Sequence, residues 1–409
     1  MEPKDLVKPA VLKTFKDMLK NMNIENYTIS ITSATEKSQN FCGIIAQVKV
    51  IQRDSGMEHN FIIKSAPHMQ EFRKLVFVED TFKREIYIYF KLLDEFLKIQ
   101  QNKNIITIFD SYPKYYISSE KYNEEFIVLQ NMLTDGYKHC ERTADFDHTL
   151  LTVRELGKFH ALSYVIRRQQ PKLFEDIISD TQEIFFKNFG TECLRLTVQH
   201  RTQKALQALD PVVDKVVYEK FKKYTENVFE IIGDCINSKN ADQYAVVNHG
   251  DCTLNNFLFK YQNSDNSSSL TRICFLDWQL SRLGSPALDL SSFIFTSVDK
   301  ETRDQYYHYF VKEYYDSLCY MLKQFGEDGL KVLPMTDLEH QLKQFSIYGV
   351  FMAYMVLYLQ LSEAEEIPDI LTTKAKPKDF IFEMEDAVEY NTRIRDIILF
   401  CNSLDYDFY

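Results

Sequence analysis

Apolar residues recur at helical spacing from residue 5 to 22, where Leu6, Val11, Leu12, Phe15, Met18 and Leu19 form one stripe and predict an amphipathic helix. Two strand-like runs follow, Ile44 to Gln52 and His59 to Ser65, separated by the turn Arg53-Asp54-Ser55-Gly56. Val78 to Ile99 returns to helical spacing, with Phe82, Ile86, Tyr89, Phe90 and Leu93 on its apolar side, and Ile105 to Tyr116 and Glu125 to Leu129 read as two further strands. The texture changes after Gln130. Long helical segments are predicted at Leu150 to Arg167, Thr191 to Leu209, Tyr218 to Ile236, Arg303 to Phe325, Asp337 to Leu361 and Phe380 to Leu404. A lone hairpin interrupts them: Phe257 to Tyr261, a polar loop Gln262 to Ser269, and a returning strand Thr271 to Leu276. The pattern predicts an α+β, bilobal chain. Residues 1–130 would form an antiparallel sheet lobe with one major helix, residues 131–409 a larger, mainly helical lobe, and Asn131 to Tyr137 the hinge.

With 409 residues, 45% of them hydrophobic, the chain can bury a core for two lobes. A net charge of −11 without a long basic cluster argues against nucleic-acid binding. The charged start Met1-Glu2-Pro3-Lys4-Asp5-Leu6 does not read as a signal peptide. The longest apolar run, Ile347 to Leu359, is too short to span a bilayer and contains three tyrosines, which suggests a buried helix. The eight cysteines show neither metal nor redox spacing. A cytoplasmic protein without an implied protein partner is the expectation.

Chemistry concentrates around the hairpin. Val247-Asn248-His249-Gly250-Asp251-Cys252-Thr253-Leu254-Asn255-Asn256 places an acid after His-Gly and an amide five residues after that acid. A second acid, Asp277, closes the returning strand. In an antiparallel hairpin the start of one strand lies beside the end of the other. Asn256 and Asp277 should therefore arrive together, within reach of one hard cation such as Mg²⁺. Asp251, one loop turn upstream, could accept a proton from a hydroxyl nucleophile. These are the parts of a phosphoryl-transfer site.

Such a site needs a positive group on the donor phosphates. Lys64, at the end of Phe61-Ile62-Ile63-Lys64, is the candidate, with Glu85 on the next helix as its counter-charge. The loop Ser38-Gln39-Asn40-Phe41-Cys42-Gly43 would cover the phosphates, and Gln130 to Leu133, including Met132, would pass the adenine edge.

His249-Gly250-Asp251 with Asn256, Leu276-Asp277-Trp278-Gln279 and Ser285-Pro286-Ala287-Leu288-Asp289-Leu290 together resemble the insect ecdysteroid kinase-like family, within the choline-kinase-like and aminoglycoside-phosphotransferase-like group. Asn40-Phe41, Lys64, Glu85 and Leu156 to Ala161 extend the resemblance over about residues 35 to 360. It implies a kinase-type fold that uses ATP and Mg²⁺. Asp251 would be the catalytic base, Asn256 and Asp277 the metal ligands, Lys64 the contact to the α- and β-phosphates and Glu85 its positioner. His249 would brace the loop and Asp289 would support it from the following helix. His160 reads as a satisfied core histidine. Three positions depart from the family's habit: Thr253 replaces an aromatic, Gln130-Asn131 an acidic pair, and Ser38 a glycine.

The leading reading is an ATP- and Mg²⁺-dependent kinase that phosphorylates a hydroxyl of a small lipophilic acceptor, ecdysteroid-like or xenobiotic by the resemblance. A choline- or ethanolamine-type kinase and a non-catalytic binding protein of the same fold are the alternatives. A protein kinase is disfavoured, because Ser285-Pro286 follows Asp277 too closely for a peptide-docking segment. The helix carrying Tyr348, Met352 and Met355 could line an acceptor pocket, although ordinary core positions have the same spacing.

Overall fold

The computed structural model describes residues 6–408 apart from 35–42, 68, 76, 141, 185, 187–190, 265–266, 368–375, 377 and 379–380. The expected phosphate loop, with Asn40 and Phe41, thus lies outside the described residues up to Gly43, its one described member.

Helix α1 (Pro9–Asn21) opens with proline, whose missing N–H costs nothing in a first turn, and buries Val11, Phe15, Met18 and Leu19. It packs with an antiparallel sheet of order β1-β2-β3-β5-β4: β1 (Tyr27–Ser33), β2 (Ile44–Gln52), β3 (Glu58–Ser65), β4 (Tyr115–Ser119) and β5 (Phe126–Gln130). Strand β1 is an addition to the expected elements, although its alternation of Thr28, Ser30 and Thr32 with Ile29 and Ile31 carries the signal; it pairs Tyr27 with Gln52.

The expected strand Ile105 to Tyr116 is a correction, since only its last two residues belong to β4. Side chains take over the backbone groups that a neighbouring strand would have used. Gln100 bonds both the N–H and the C=O of Phe109, and Gln324 accepts from Ile106 and Thr107. Pro113 has no N–H to give a ladder.

Helix α2 (Val78–Tyr87) continues through a π turn, Ile88–Leu92, to Leu93–Asn102. A π turn inserts an extra residue and rotates the downstream helix about its axis. Phe90, expected on the buried stripe, is accordingly 63% exposed.

Beyond β5 come a one-turn helix at Met132–Asp135, β6 (Tyr137–Lys138) and α3 (Phe146–Gln169), which is capped by the Asp145 carboxylate accepting from His148 N–H. Strands β7 (Val246–Asn248), β8 (Phe257–Ser264), β9 (Ser267–Phe275) and β10 (Arg282–Gly284) precede α4 (Pro286–Ser297) and α5 (Lys300–Gln324). The hairpin β8–β9 reaches into the segment expected as a polar loop, because two paired backbones satisfy each other whatever their exposed side chains are. The single helix expected over Asp337 to Leu361 breaks at Ser346 into Met335–Phe345 and α6 (Ile347–Gln360), bent by 48°. The last helix spans only Val388–Ser403 of the expected Phe380 to Leu404.

Helix α6 is buried over most of its length and packs on α4 in the large core. No single helix among the described residues is long and apolar enough to cross a membrane. A small cluster joins α1 to the sheet, and the main one runs from the π turn through Phe109 into the helical region. The chain thus has an antiparallel N-terminal sheet and a mainly helical remainder, the α+β bilobal arrangement that the sequence pattern predicts.

Candidate active site

The hairpin brings the expected residues together. Phe257 pairs with Phe275, and Leu276 N–H donates to the Asn256 carbonyl at 2.9 Å, so Asn256 stands across from the residue preceding Asp277. The Asn256 amide nitrogen donates to the Asp251 carbonyl at 2.9 Å, which ties the amide to the loop bearing the acid. Asp277 itself has a left-handed backbone, φ 62° and ψ 67°.

Lys64 reaches this point from β3. Its ammonium donates to Glu85 on α2 at 2.7 Å and to Asp277 Oδ1 at 2.8 Å. Burial works against the charged lysine, but Asp277 and Glu85 outweigh it and hold Lys64 protonated. Burial of one or the other carboxylate without this cation would be costly.

The loop His249-Gly250-Asp251 is held from below. Asp289, buried in the first turn of α4, accepts from His249 N–H at 2.6 Å and from Gly250 N–H at 2.9 Å. His160 Nε2 donates to the same carboxylate at 3.2 Å, and its Nδ1 shares a bond with Tyr314 at 2.7 Å. Although burial opposes it, the His160 bond and the Gly250 N–H hold the Asp289 carboxyl below its ordinary range. His249 Nε2 donates to the Leu276 carbonyl at 2.9 Å, and its Nδ1 faces Asp251 N–H. Burial keeps this ring neutral by lowering its pKa. His249 therefore links loop to hairpin and has no free nitrogen for chemistry.

Gly250 is dictated by the turn. Its φ is +88°, and a Cβ there would run into the Leu280 carbonyl. Asp251, the residue expected as base, has its carboxyl pushed up to about 6, first by burial and then by Asp277, with Asn256, Arg282 and Lys64 opposing. Cys252 is fully buried and burial pushes its thiol well up, so it is a packed residue without thiolate character.

Gln130 and Met132 sit where β5 leaves the sheet. The Gln130 side chain bridges Lys114 N–H and Asp135, and Asn131 caps the short helix through Leu133 N–H. Met132 opens that helix, so its N–H lacks an intrahelical acceptor. Its side chain packs with Tyr137, Leu258, Cys274 and Leu276, an apolar floor beside Asp277.

Two arginines escaped the sequence reading. Arg84 on α2 donates to the carbonyls of Ser281 and Gln182, and Arg282 on β10 is buried beside the loop. An arginine within the otherwise uncharged run Trp278 to Leu288 was the available signal. Of the residues proposed for an acceptor pocket, Tyr348 binds Arg282, Met352 is core, and Met355 is half-buried.

Among the described residues no group of three or more histidines, cysteines or acids could hold a metal. The amide–carboxylate pair nevertheless fits Mg²⁺, which takes one or two protein oxygens together with substrate phosphates. The Lys64 ammonium at Asp277 shows that a cation is accommodated there.

Scaffold and loop chemistry place the chain among kinase-like phosphotransferases. More narrowly, it belongs to the ecdysteroid kinase-like family, whose sequence model matches residues 37–327. No curated protein matches it. Among solved structures it is similar to an ethanolamine kinase from Plasmodium vivax, with 14% identity over 87% of this chain and 88% of that one and a TM-score of 0.43. A variant of aminoglycoside 2'-phosphotransferase IIIa in complex with GDP gives 12% identity over 86% and 96%, with a TM-score of 0.37.

Proposed function

We propose that this protein is an ATP- and Mg²⁺-dependent kinase that phosphorylates a hydroxyl group of a small lipophilic acceptor, of the ecdysteroid or xenobiotic kind. Residues 1–130 serve as the nucleotide lobe and 131–409 carry the catalytic loop and acceptor pocket. The observation that carries this reading is the Lys64 ammonium shared between Glu85 and Asp277, beside Asp251. Asp251 orients the acceptor hydroxyl and takes its proton as that oxygen bonds the terminal phosphorus and ADP leaves. Lys64 contacts the α- and β-phosphates, with Glu85 holding it in place. Asn256 and Asp277 hold Mg²⁺, which supplies charge neutralisation on the phosphates. His249 and Asp289 fix the loop, while backbone groups at Gln130 to Met132 meet the base edge.

Family membership and this set of side chains support the reading. The test is ADP formation with a library of hydroxysteroids and plant alcohols, with product mass locating the phosphate. Mg²⁺–ATP binding without transfer to any member would favour a non-catalytic binding protein. Transfer only to choline or ethanolamine would favour that type of kinase.

A further inference from the structure

Arg282 is 1% exposed and lies on β10 opposite Asn248 of β7, two residues before Gly250. Its guanidinium stands against two aromatic rings, 5.0 Å from the Tyr348 centroid and 5.5 Å from that of Phe186, and those rings meet edge to face. One nitrogen donates to the Tyr348 hydroxyl and another to the Leu280 carbonyl at 3.3 Å. Its Nε is buried without a hydrogen-bond partner among the described residues. No carboxylate there lies within ion-pair distance of Arg282, although Glu183, Asp289 and Asp251 feel its charge. Neighbouring Arg84 is likewise held by carbonyls.

A buried guanidinium without a carboxylate contact is expensive, and a hydrophobic residue would pack there more cheaply. Its position suggests what it is kept for. Two aromatic faces make a natural seat for an ammonium ligand. In this chain the protein's own cation fills that seat.

We propose that Arg282 is a charge filter on the acceptor: it occupies the Phe186–Tyr348 niche and selects against acceptors with an ammonium near the reacting hydroxyl. The inference rests on the kinase reading above. An acceptor whose hydroxyl reaches Asp251 comes close to Arg282, whose strand pairs with β7 just ahead of the Gly250-Asp251 turn. Like charges brought close in a partly desolvated site repel, and at the effective dielectric of such sites the repulsion costs at least about tenfold in binding or turnover. Neutral acceptors escape this cost.

The test uses matched acceptors: 3,3-dimethylbutan-1-ol against choline, its cationic isostere, and a hydroxysteroid against its amino-substituted counterpart. The full chain is assayed with radiolabelled ATP. Wild type should favour the neutral member of each pair by at least about tenfold in kcat/KM, within the range set by the repulsion. Arg282→Gln should bring the ratio close to one, and Arg282→Lys should keep it. Tyr348→Phe, which retains the ring but frees the guanidinium, should lower the ratio part of the way and guards against a misfolded Arg282→Gln. Folding of each variant is read from its thermal shift with Mg²⁺–ATP. Equal rates on both members in wild type, or an unchanged ratio in a folded Arg282→Gln, overturn the filter and leave the kinase reading standing. No transfer to any alcohol removes the kinase reading and the filter with it.

Discussion

The Lys64 ammonium donates to Asp277 Oδ1 at 2.8 Å across 213 positions of sequence, while also bonding Glu85 at 2.7 Å. One cation thus joins β3, α2 and the residue closing the β8–β9 hairpin, and it lies on the carboxylate assigned to the metal. A metal ion alone must compete with a tethered ammonium, whereas incoming phosphates would draw Lys64 away. Lys64→Met removes the competitor and leaves two uncompensated carboxylates. The variant should bind Mg²⁺ without nucleotide about fivefold more tightly than wild type by calorimetry, the equivalent of one ion-pair contribution of about 1 kcal/mol. Its ATP turnover should fall by two or more orders of magnitude, as for loss of a preorganised charge. Unchanged affinity for the metal would show that Lys64 does not guard Asp277.

Asp277 has a positive φ, a region that Asn tolerates far better than Ala. Asp277→Asn should therefore lose Mg²⁺-dependent stabilisation by ATP while keeping most of its stability. Asp277→Ala should lose the same response and in addition about 1 kcal/mol of folding stability. Denaturant titration of both variants, with and without Mg²⁺–ATP, separates the two effects. Retention of the full ATP shift in Asp277→Asn would undercut the metal assignment.

Burial and Asp277 raise the carboxyl of Asp251 to about 6. A carboxyl whose folded pKa lies above its unfolded value destabilises the ionised protein. The penalty grows as pH rises from about 4 to 6 and is complete above that. Since Asp251 is partly exposed, about 1–2 kcal/mol is the expected size at pH 8. Asp251→Asn should thus abolish phosphate transfer, preserve the response to Mg²⁺–ATP, and unfold at a higher temperature than wild type at pH 8 but not at pH 4.5. Retained turnover would sink the assignment of the base.

Much of this site was legible because its parts are close in sequence or fixed by strand pairing. Asn256 and Asp277 flank one hairpin, and antiparallel geometry leaves them one place to meet. The Lys64–Glu85 pair was legible only by analogy, since nothing local says which helix acid a strand lysine meets. Arg282 was missed for a related reason: its meaning lies in Phe186 and Tyr348, which come from distant segments. The strand expected at Ile105 to Tyr116 failed because Gln100 and Gln324 supply hydrogen bonds that composition cannot reveal.

Asp289 receives two backbone N–H groups and the His160 imidazole. Asp289→Asn keeps one acceptor oxygen but sets an NH₂ against a donor, and should cost about 2–4 kcal/mol. Its folded carboxyl lies below the ordinary value, so its contribution is complete above about pH 4 and is lost as pH falls further. The gap in stability between wild type and Asp289→Asn should accordingly be wider at pH 7 than at pH 3, as read by urea unfolding. A gap that is constant with pH would mean that the carboxylate charge is not what holds the loop.

Gly250 and Gly56 both have positive φ, +88° and +70°, but only Gly250 has protein where a Cβ would go. Gly56 sits in an exposed turn with nothing within 4 Å, so Gly56→Ala carries backbone strain alone, about 1–2 kcal/mol. Gly250→Ala adds a collision with the Leu280 carbonyl, which the strand pairing of Arg282 with Asn248 keeps from moving away. Its cost should reach about 2–5 kcal/mol, strain and overpacking together. The collision also pushes on the loop that carries Asp251. Gly250→Ala should therefore lose phosphate transfer even at a temperature where circular dichroism shows it folded, whereas Gly56→Ala should keep it. Equal losses of stability in the two variants would mean that the loop yields to the added methyl, and that Gly250 is needed for its backbone angle alone.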